Sequence, residues 1–265
     1  MKKFWQFFKM NFENFLEYRT DFAISFIMKI IVFLGFVFLW KAIDNEGKHI
    51  TKYGFSGLMF YYLITSILSG FASSRSARDL RTDILEGKLS TKLLKPLNVY
   101  SYFLARHWGR VVYETILNAM IVLPILIVWR DVSSEAFISF SAVGKFFIMS
   151  FLASLLVYNL YFLVGISAFW TKEAFGLQMI IRNMSRFFTG ALIPLDLLPE
   201  WFQAITEKLP FGYMLYYPAK TLMEDIAMDD FYYAIKMTLA WISMFGVISY
   251  FIWKKGLQHY ESVGI

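Results

Sequence analysis

The stretch VGKFFIMSFLASLLVYNLYFLVGISAFW, Val143–Trp170, contains one charged side chain, Lys145, in 28 residues. A helix needs about 20 mostly apolar residues to cross the hydrocarbon core of a bilayer, and this stretch exceeds that length. We therefore predict a membrane-spanning helix over 143–170 and compare the rest of the chain with it.

Five further stretches meet or approach the same criterion. They cover residues 22–43, 53–73, 108–129, 174–195 and 231–253, and the fourth of these is the weakest because Arg182 and Arg186 lie inside it. The composition agrees, since 17% of residues are charged, whereas soluble domains average about 25%. We predict an all-α integral membrane protein whose residues 22–265 form six transmembrane helices.

The distribution of Lys and Arg predicts the orientation. With the N-terminus placed in the cytoplasm, the inner segments hold 17 of these residues and the outer segments hold five, namely Lys48, Lys52, Arg130, Lys208 and Lys220. Positive residues concentrate on the cytoplasmic side of membrane proteins. We therefore predict a multi-pass protein of the cell membrane with both termini in the cytoplasm. The net charge of +6 then reflects topology and not nucleic-acid binding.

Residues 1–21 carry aromatic residues at helical spacing, with charged residues elsewhere on the helix. This pattern predicts an amphipathic helix that lies in the headgroup plane. The alternative is a cytoplasmic extension of the first span. Lys9, Glu13 and Glu17 interrupt any apolar core here, which is not expected in a cleavable signal peptide.

The chain lacks the sequence patterns of most enzymes. It contains no Cys and no Gly-rich phosphate-binding loop, and its three histidines, His49, His107 and His259, are scattered. We predict no catalytic residue, no metal site and no cofactor in this chain. Two alternatives stay open: an intramembrane lipid-linked transferase that uses Glu114, His107 and the two arginines, and a channel or assembly subunit without coupled transport.

Lys29 and Glu114 are ionisable residues inside the first and third spans, where charge is costly. Lys29 is about two turns into the first span, so we expect its amine to reach the cytoplasmic interface. Glu114 follows Arg110 by four residues, which favours an ion pair along the helix. The alternative for Glu114 is a protonatable residue of the substrate pathway.

Arg182 and Arg186 share one face of the fifth span, beside Asn183 and Ser185. One interpretation is that Arg182, Asn183 and Arg186 line a substrate pathway, together with Glu114. The other is that the arginines reach the interface, or pair with Glu173 or with a lipid phosphate. An anionic or amphiphilic substrate would fit the first interpretation.

The segment SRSARDLRTDILE, Ser74–Glu86, follows the second span. Ala77, Leu80, Ile84 and Leu85 recur at helical spacing among charges of both signs, which predicts a short amphipathic cytoplasmic helix. Gly87 is placed to end it, and Asn98 to cap the helix that leads into the third span. The apolar stripe needs a cover, which the protein's own helices, the membrane surface or a partner could provide.

The outer segment 195–230 is too broken to cross the membrane and too apolar for a free loop. Pro194, Pro199 and Pro210 divide it into two apolar pieces, about 200–209 and 211–223. We predict two short helices that dip back into the outer leaflet as a re-entrant hairpin. Irregular backbone at that depth must be covered by protein or line a cavity.

Three motifs within the six-span pattern carry a family resemblance. They are EYRTDF, Glu17–Phe22; EGKLSTKLLKPLN, Glu86–Asn98; and TGALIPLDLLPEWFQAITEKLPFGYMLYYP, Thr189–Pro218. In their order and spacing the chain resembles a type-2 ABC transporter permease, the membrane half of an ATP-binding-cassette exporter. The likeness covers essentially the whole chain.

The resemblance implies a permease that exports a substrate by alternating access, as a homodimer or heterodimer, with ATP and magnesium bound by separate cytoplasmic ATPase subunits. The loop after the second span would carry the coupling helix, whose docking residues would be Arg75, Arg78, Asp79, Leu80, Arg81, Asp83, Ile84, Leu85 and Glu86. The outer hairpin would help to close the pathway, with Leu198, Pro199, Trp201, Phe202, Pro210, Phe211 and Tyr213 as the extracellular gate.

Overall fold

The computed structural model describes residues 5–6, 9, 19–45, 53–71, 75–96, 98–134, 139–171, 174–224 and 226–260, and these residues contain no β-strand. They form helices α1 Arg19–Asn45, α2 Gly54–Leu68, α3 Arg75–Leu85, α4 Leu89–Leu93, α5 Val99–Val128, α6 Arg130–Ser134, α7 Phe140–Ile166, α8 Ala174–Phe188, α9 Glu200–Thr206, α10 Tyr216–Met223 and α11 Met228–His259. The predicted all-α architecture is confirmed. The interfacial helix predicted over 1–21 lies mostly outside the described residues.

Among the residues that the structure describes, four helices are long and apolar enough to cross a membrane. They are α1 over Phe26–Asp44, α5, α11, and α7 together with the 3-10 turn that extends it to Phe169. Helices α2 and α8 have 15 residues each and are shorter than the predicted stretches 53–73 and 174–195. At 1.5 Å per residue, 15 residues cover about 22 Å, which is less than the hydrocarbon thickness of about 30 Å.

Helix α7 is the centre of the fold. About 67% of its most apolar window is buried inside the protein, against 11–22% for the other three long helices. It packs against α11, α3, α10, α8 and α5. The others expose large apolar side chains, including Phe38 on α1 and Tyr250 on α11. Surfaces of this kind suit a lipid environment, so the apolar stretch over 143–170 forms the packed core and not a lipid-facing wall.

Helix α5 begins at Val99, nine residues before the predicted start of the third span. The Asn98 side chain accepts a hydrogen bond from the backbone N–H of Ser101 at 3.0 Å, which confirms the predicted cap. Phe103 and Ala105 in the added turns are fully buried. These turns extend the helix beyond its most apolar part, and their core packing stabilises them.

Helix α8 ends where the chain turns at Gly190, whose backbone φ is +80°. Its carbonyl oxygen accepts a hydrogen bond from the buried Tyr61 hydroxyl at 2.7 Å. A Cβ at this position would lie 2.8 Å from that hydroxyl and 3.2 Å from the Cβ of Tyr216. Both the conformation and the close approach require glycine.

Replacing Gly190 by alanine is therefore expected to lower the free energy of unfolding by about 2–3 kcal/mol, from the left-handed backbone and a disturbed hydrogen bond. Unfolding followed by circular dichroism in detergent measures the change. Gly144→Ala is the matched control, because no neighbouring atom lies within 4 Å of its Cβ position and alanine favours a helix. Equal stability of the two variants would contradict this role for Gly190.

Candidate functional site

Helix α3 confirms the short helix predicted after the second span, and Gly87 follows it with φ +73°. The apolar stripe is covered by the protein's own helices. Ala77 and Leu80 are fully buried and Ile84 is 5% exposed. The stripe packs on α7 at Gly165, where an added Cβ would lie 3.1 Å from the Ala77 carbonyl oxygen. Leu80 and Ile84 therefore hold α3 on the bundle and offer no free apolar surface.

Two ion pairs fasten α3 to its neighbours. Asp79 pairs with Arg106 of α5 at 2.9 Å, and Asp83 pairs with Lys92 of α4. Burial raises the pKa of the Asp79 carboxyl above its ordinary value, although Arg106 acts in the opposite direction. The remaining docking candidates divide into the exposed Arg75, Arg78 and Glu86 and the half-buried Arg81 and Leu85. Only the exposed three present their side chains fully to a partner.

A second apolar surface follows α3 and was missed by the reasoning from sequence. Helix α4 buries Leu89 but leaves Leu93 41% exposed, and Leu94 directly after it is 87% exposed. Lys95 and Pro96 beside them are also exposed. The adjacent leucines in KLLKP were the available signal, because two consecutive leucines in a short polar helix cannot both face the core.

A charge network joins α1 to α5 inside the bundle. The Lys29 amine donates to Glu114 Oε2 at 2.9 Å and to Asn118 Oδ1 at 2.6 Å. Arg110 donates to Glu114 Oε1 at 2.9 Å, which confirms the predicted pair along α5. The Lys29 amine, which the sequence predicts at the cytoplasmic interface, is held by a carboxylate of a neighbouring helix.

The approach of α2 to α5 helps to enclose this network. Asn118 Nδ2 donates to Ser69 Oγ at 3.4 Å, and a Cβ at Gly70 would lie 2.7 Å from the Cβ of Glu114. The residues that follow α2 therefore pack against Asn118 and against the Cβ of Glu114, whose carboxylate bridges α1 and α5. The arrangement can transmit a movement of one helix to the other two.

Helix α8 carries the predicted pathway residues Arg182, Asn183 and Arg186, and all three are exposed. It packs against α7 and α3. Glu114 belongs to the network on α1 and α5. The predicted alternative partner Glu173 lies outside the described residues.

The hairpin of residues 195–230 contains the two predicted short helices, α9 and α10. Helix α10 packs against α2 and α7, with Tyr216 and Ala219 buried. Of the predicted gate residues, Pro210, Phe211 and Tyr213 are buried, Leu198 and Phe202 are half-buried, and Pro199 and Trp201 are exposed. Phe202 stacks on Phe188 at the end of α8. The hairpin thus contacts three of the apolar helices.

Polar contacts pin this hairpin at the start of α2. Tyr53 donates to Asp196 in the hairpin, and its hydroxyl lies 3.0 Å from Glu224 Oε1 at the end of α10. Lys145 of α7 donates to the Ile226 carbonyl at 2.5 Å.

One family model matches the chain over most of its length. It describes an ABC-2 family transporter protein and covers residues 29–264. The match begins at Lys29 inside α1 and includes every later helix that the structure describes. A search of curated proteins finds no match.

Proposed function

The chain belongs to the ABC-2 transporter family, as a membrane subunit of an ABC transporter, and we propose that it exports a substrate from the cytoplasm by alternating access driven by a separate ATPase. In this proposal ATP and magnesium bind to the ATPase. Two permease copies, identical or related, enclose the pathway. The observation that carries the proposal is that α3 packs on the bundle while Leu93 and Leu94, which follow it, are exposed.

We assign six crossings to α1, α2, α5, α7, α8 and α11, with both termini in the cytoplasm. The short helices α2 and α8 then complete their crossings with the turns that follow them, and α9 and α10 form a re-entrant hairpin at the outer side. The burial of α10 between α2 and α7 supports this assignment, since irregular backbone at membrane depth must be covered by protein.

In this mechanism the ATPase moves α3 and α4 as one unit. The pairs of Asp83 with Lys92 and of Asp79 with Arg106 make that unit stiff and join it to α5. Helix α5 carries Arg110 and Glu114 and is tied through Glu114 to Lys29 of α1. A displacement of α3 and α4 is thereby passed to the first span. The hairpin then opens or closes the pathway on the outer side.

The burial of the α3 stripe changes the predicted docking surface. We place the contact with the ATPase on the exposed Arg75, Arg78 and Glu86 together with Leu93 and Leu94. Exposed charges contribute mainly to rate and specificity of association, whereas an apolar anchor that enters a pocket supplies most of the binding energy. Leu94 is the expected anchor.

The double substitution Leu93→Asp and Leu94→Asp is expected to reduce recovery of the ATPase with the affinity-purified chain by about tenfold or more, since loss of an anchor weakens binding by at least about 1.4 kcal/mol. Quantitative mass spectrometry of the complex measures the ratio. Phe140→Asp is the control, because Phe140 is 99% exposed at the opposite end of α7. Unchanged recovery for the double variant would rule out this docking surface.

The transferase alternative gains no support from the arrangement of its residues. His107 is buried with its Nε2 at 3.1 Å from Ser154 Oγ, Glu114 is held by two cations, and the arginines lie on α8. A shared reaction centre would need these groups within reach of one substrate.

A further inference from the structure

Arg182 and Arg186 project from one face of α8. They are one helical turn apart, so their Cβ atoms are about 5–6 Å from each other. Phe175 and Met179 are exposed on the same face. Within the part of the chain that the structure describes, neither guanidinium group has an ion pair or a hydrogen bond. The Tyr161 hydroxyl of α7 is close enough for an electrostatic interaction with both, but it carries no charge to balance them.

This arrangement is unfavourable without an anion. Two positive charges at this spacing repel each other along the helix, and a charge inside a membrane is costly unless it is paired. Guanidinium groups bind phosphate and carboxylate in pairs of parallel hydrogen bonds. An anionic group held between the two arginines would remove both the repulsion between their charges and the cost of leaving them unpaired.

We propose that Arg182 and Arg186 bind the headgroup of the transported substrate, and that this substrate is an anionic amphiphile with a phosphate or carboxylate group. This inference rests on the proposed function. The exposed side chains of Phe175 and Met179 on the same face provide a surface for a hydrophobic tail. A small hydrated anion would gain nothing from them and would have to lose water to approach.

The position of the arginines along α8 distinguishes cargo from a lipid of the surrounding bilayer. Arg182 and Arg186 lie about 12 and 18 Å from the start of the helix, at 1.5 Å per residue. With α8 starting at the cytoplasmic interface, these distances bracket the middle of a hydrocarbon core of about 30 Å. Headgroups of bilayer lipids lie at the interfaces, so a headgroup bound at this depth is in transit.

The binding test uses the complete complex in detergent with three fluorescent lipids: phosphatidylglycerol, phosphatidylcholine and a trimethylammonium lipid. We expect preference for phosphatidylglycerol, measured by fluorescence anisotropy. Arg182→Gln with Arg186→Gln should lower the affinity for that lipid about tenfold or more and abolish the preference over the cationic lipid. Arg182→Lys with Arg186→Lys should retain part of the preference for phosphatidylglycerol, because the charge remains although the paired geometry is lost.

Lys236→Gln is the matched control, since Lys236 is an exposed cation on the apolar helix α11, and it should leave the preference unchanged. Loss of affinity for all three lipids alike in the glutamine variant would indicate a structural role and overturn the site. Unchanged selectivity in that variant would overturn it too.

The transport test uses the same complex in phosphatidylcholine vesicles, where ATP should move labelled phosphatidylglycerol between the leaflets in an arginine-dependent way. Binding that depends on the arginines without ATP-driven movement would identify a resident lipid and overturn the assignment as cargo. A complex that keeps its ATPase but binds the anionic lipid independently of the arginines counts against this inference alone. Absence of any ATPase counts against the proposed function.

Discussion

Replacing Glu114 by alanine is expected to lower the free energy of unfolding by about 3–5 kcal/mol, because removing one member of a buried ion pair leaves its partners uncompensated. Here one carboxylate serves two cations, Lys29 and Arg110, at 2.9 Å each. The side chains of Arg110 and Glu114 are only 10% and 18% exposed. Denaturation in mixed detergent, followed by circular dichroism, measures the loss.

The same network offers its own controls. Lys29→Met removes a cation and leaves Arg110 to pair with Glu114, so it should cost less than Glu114→Ala. The two changes together should not be additive, with a coupling of about 0.5–3 kcal/mol. Glu86→Ala removes an exposed partner of Lys88 and should have no measurable effect. If the Glu114→Ala variant is as stable as the Glu86→Ala variant, the network does not hold α1 to α5.

Leu80→Asp should prevent recovery of folded protein from membranes. Leu80 is fully buried on the stripe that packs against α7. Deleting a buried leucine side chain costs about 2–5 kcal/mol, and an aspartate adds the cost of dehydrating a charge without a partner. Size-exclusion chromatography in detergent and limited proteolysis report the outcome.

Leu80→Met is the volume-conserving control and should cost less than about 1.5 kcal/mol. The contrast with Leu93→Asp and Leu94→Asp separates the two leucine surfaces. Leu80→Asp should lose the fold, whereas Leu93→Asp with Leu94→Asp should keep the fold and lose the ATPase. If Leu80→Asp yields stable protein that has lost only its ATPase, the stripe faces a partner and not α7.

Local sequence patterns predicted much of the fold. The apolar stretch over 143–170 gave α7, and the spacing of Ala77, Leu80 and Ile84 gave α3. Such patterns depend on residues near one another in the chain and on one solvent preference. The capping of α5 by Asn98 and the glycine after α3 were predictable for the same reason, since a cap is made by residues three positions apart.

Contacts between distant segments could not be read in this way. Lys29 and Glu114 are 85 residues apart, and only the packing of α1 beside α5 brings them together. The pattern of α3 showed that its stripe needed a cover but not which of three surfaces provides it. The end of α8 depended on Gly190, whose close approach to Tyr61 is a tertiary contact.

The central claim is that this chain works as the membrane subunit of an ABC transporter with a separate ATPase. Its most direct test is affinity purification from membranes, followed by subunit identification and measurement of ATP hydrolysis. We predict a stoichiometric ATPase subunit with a phosphate-binding loop, hydrolysis by the complex, and none by the chain stripped of that subunit. A chain that purifies alone and catalyses a reaction of its own would contradict the account.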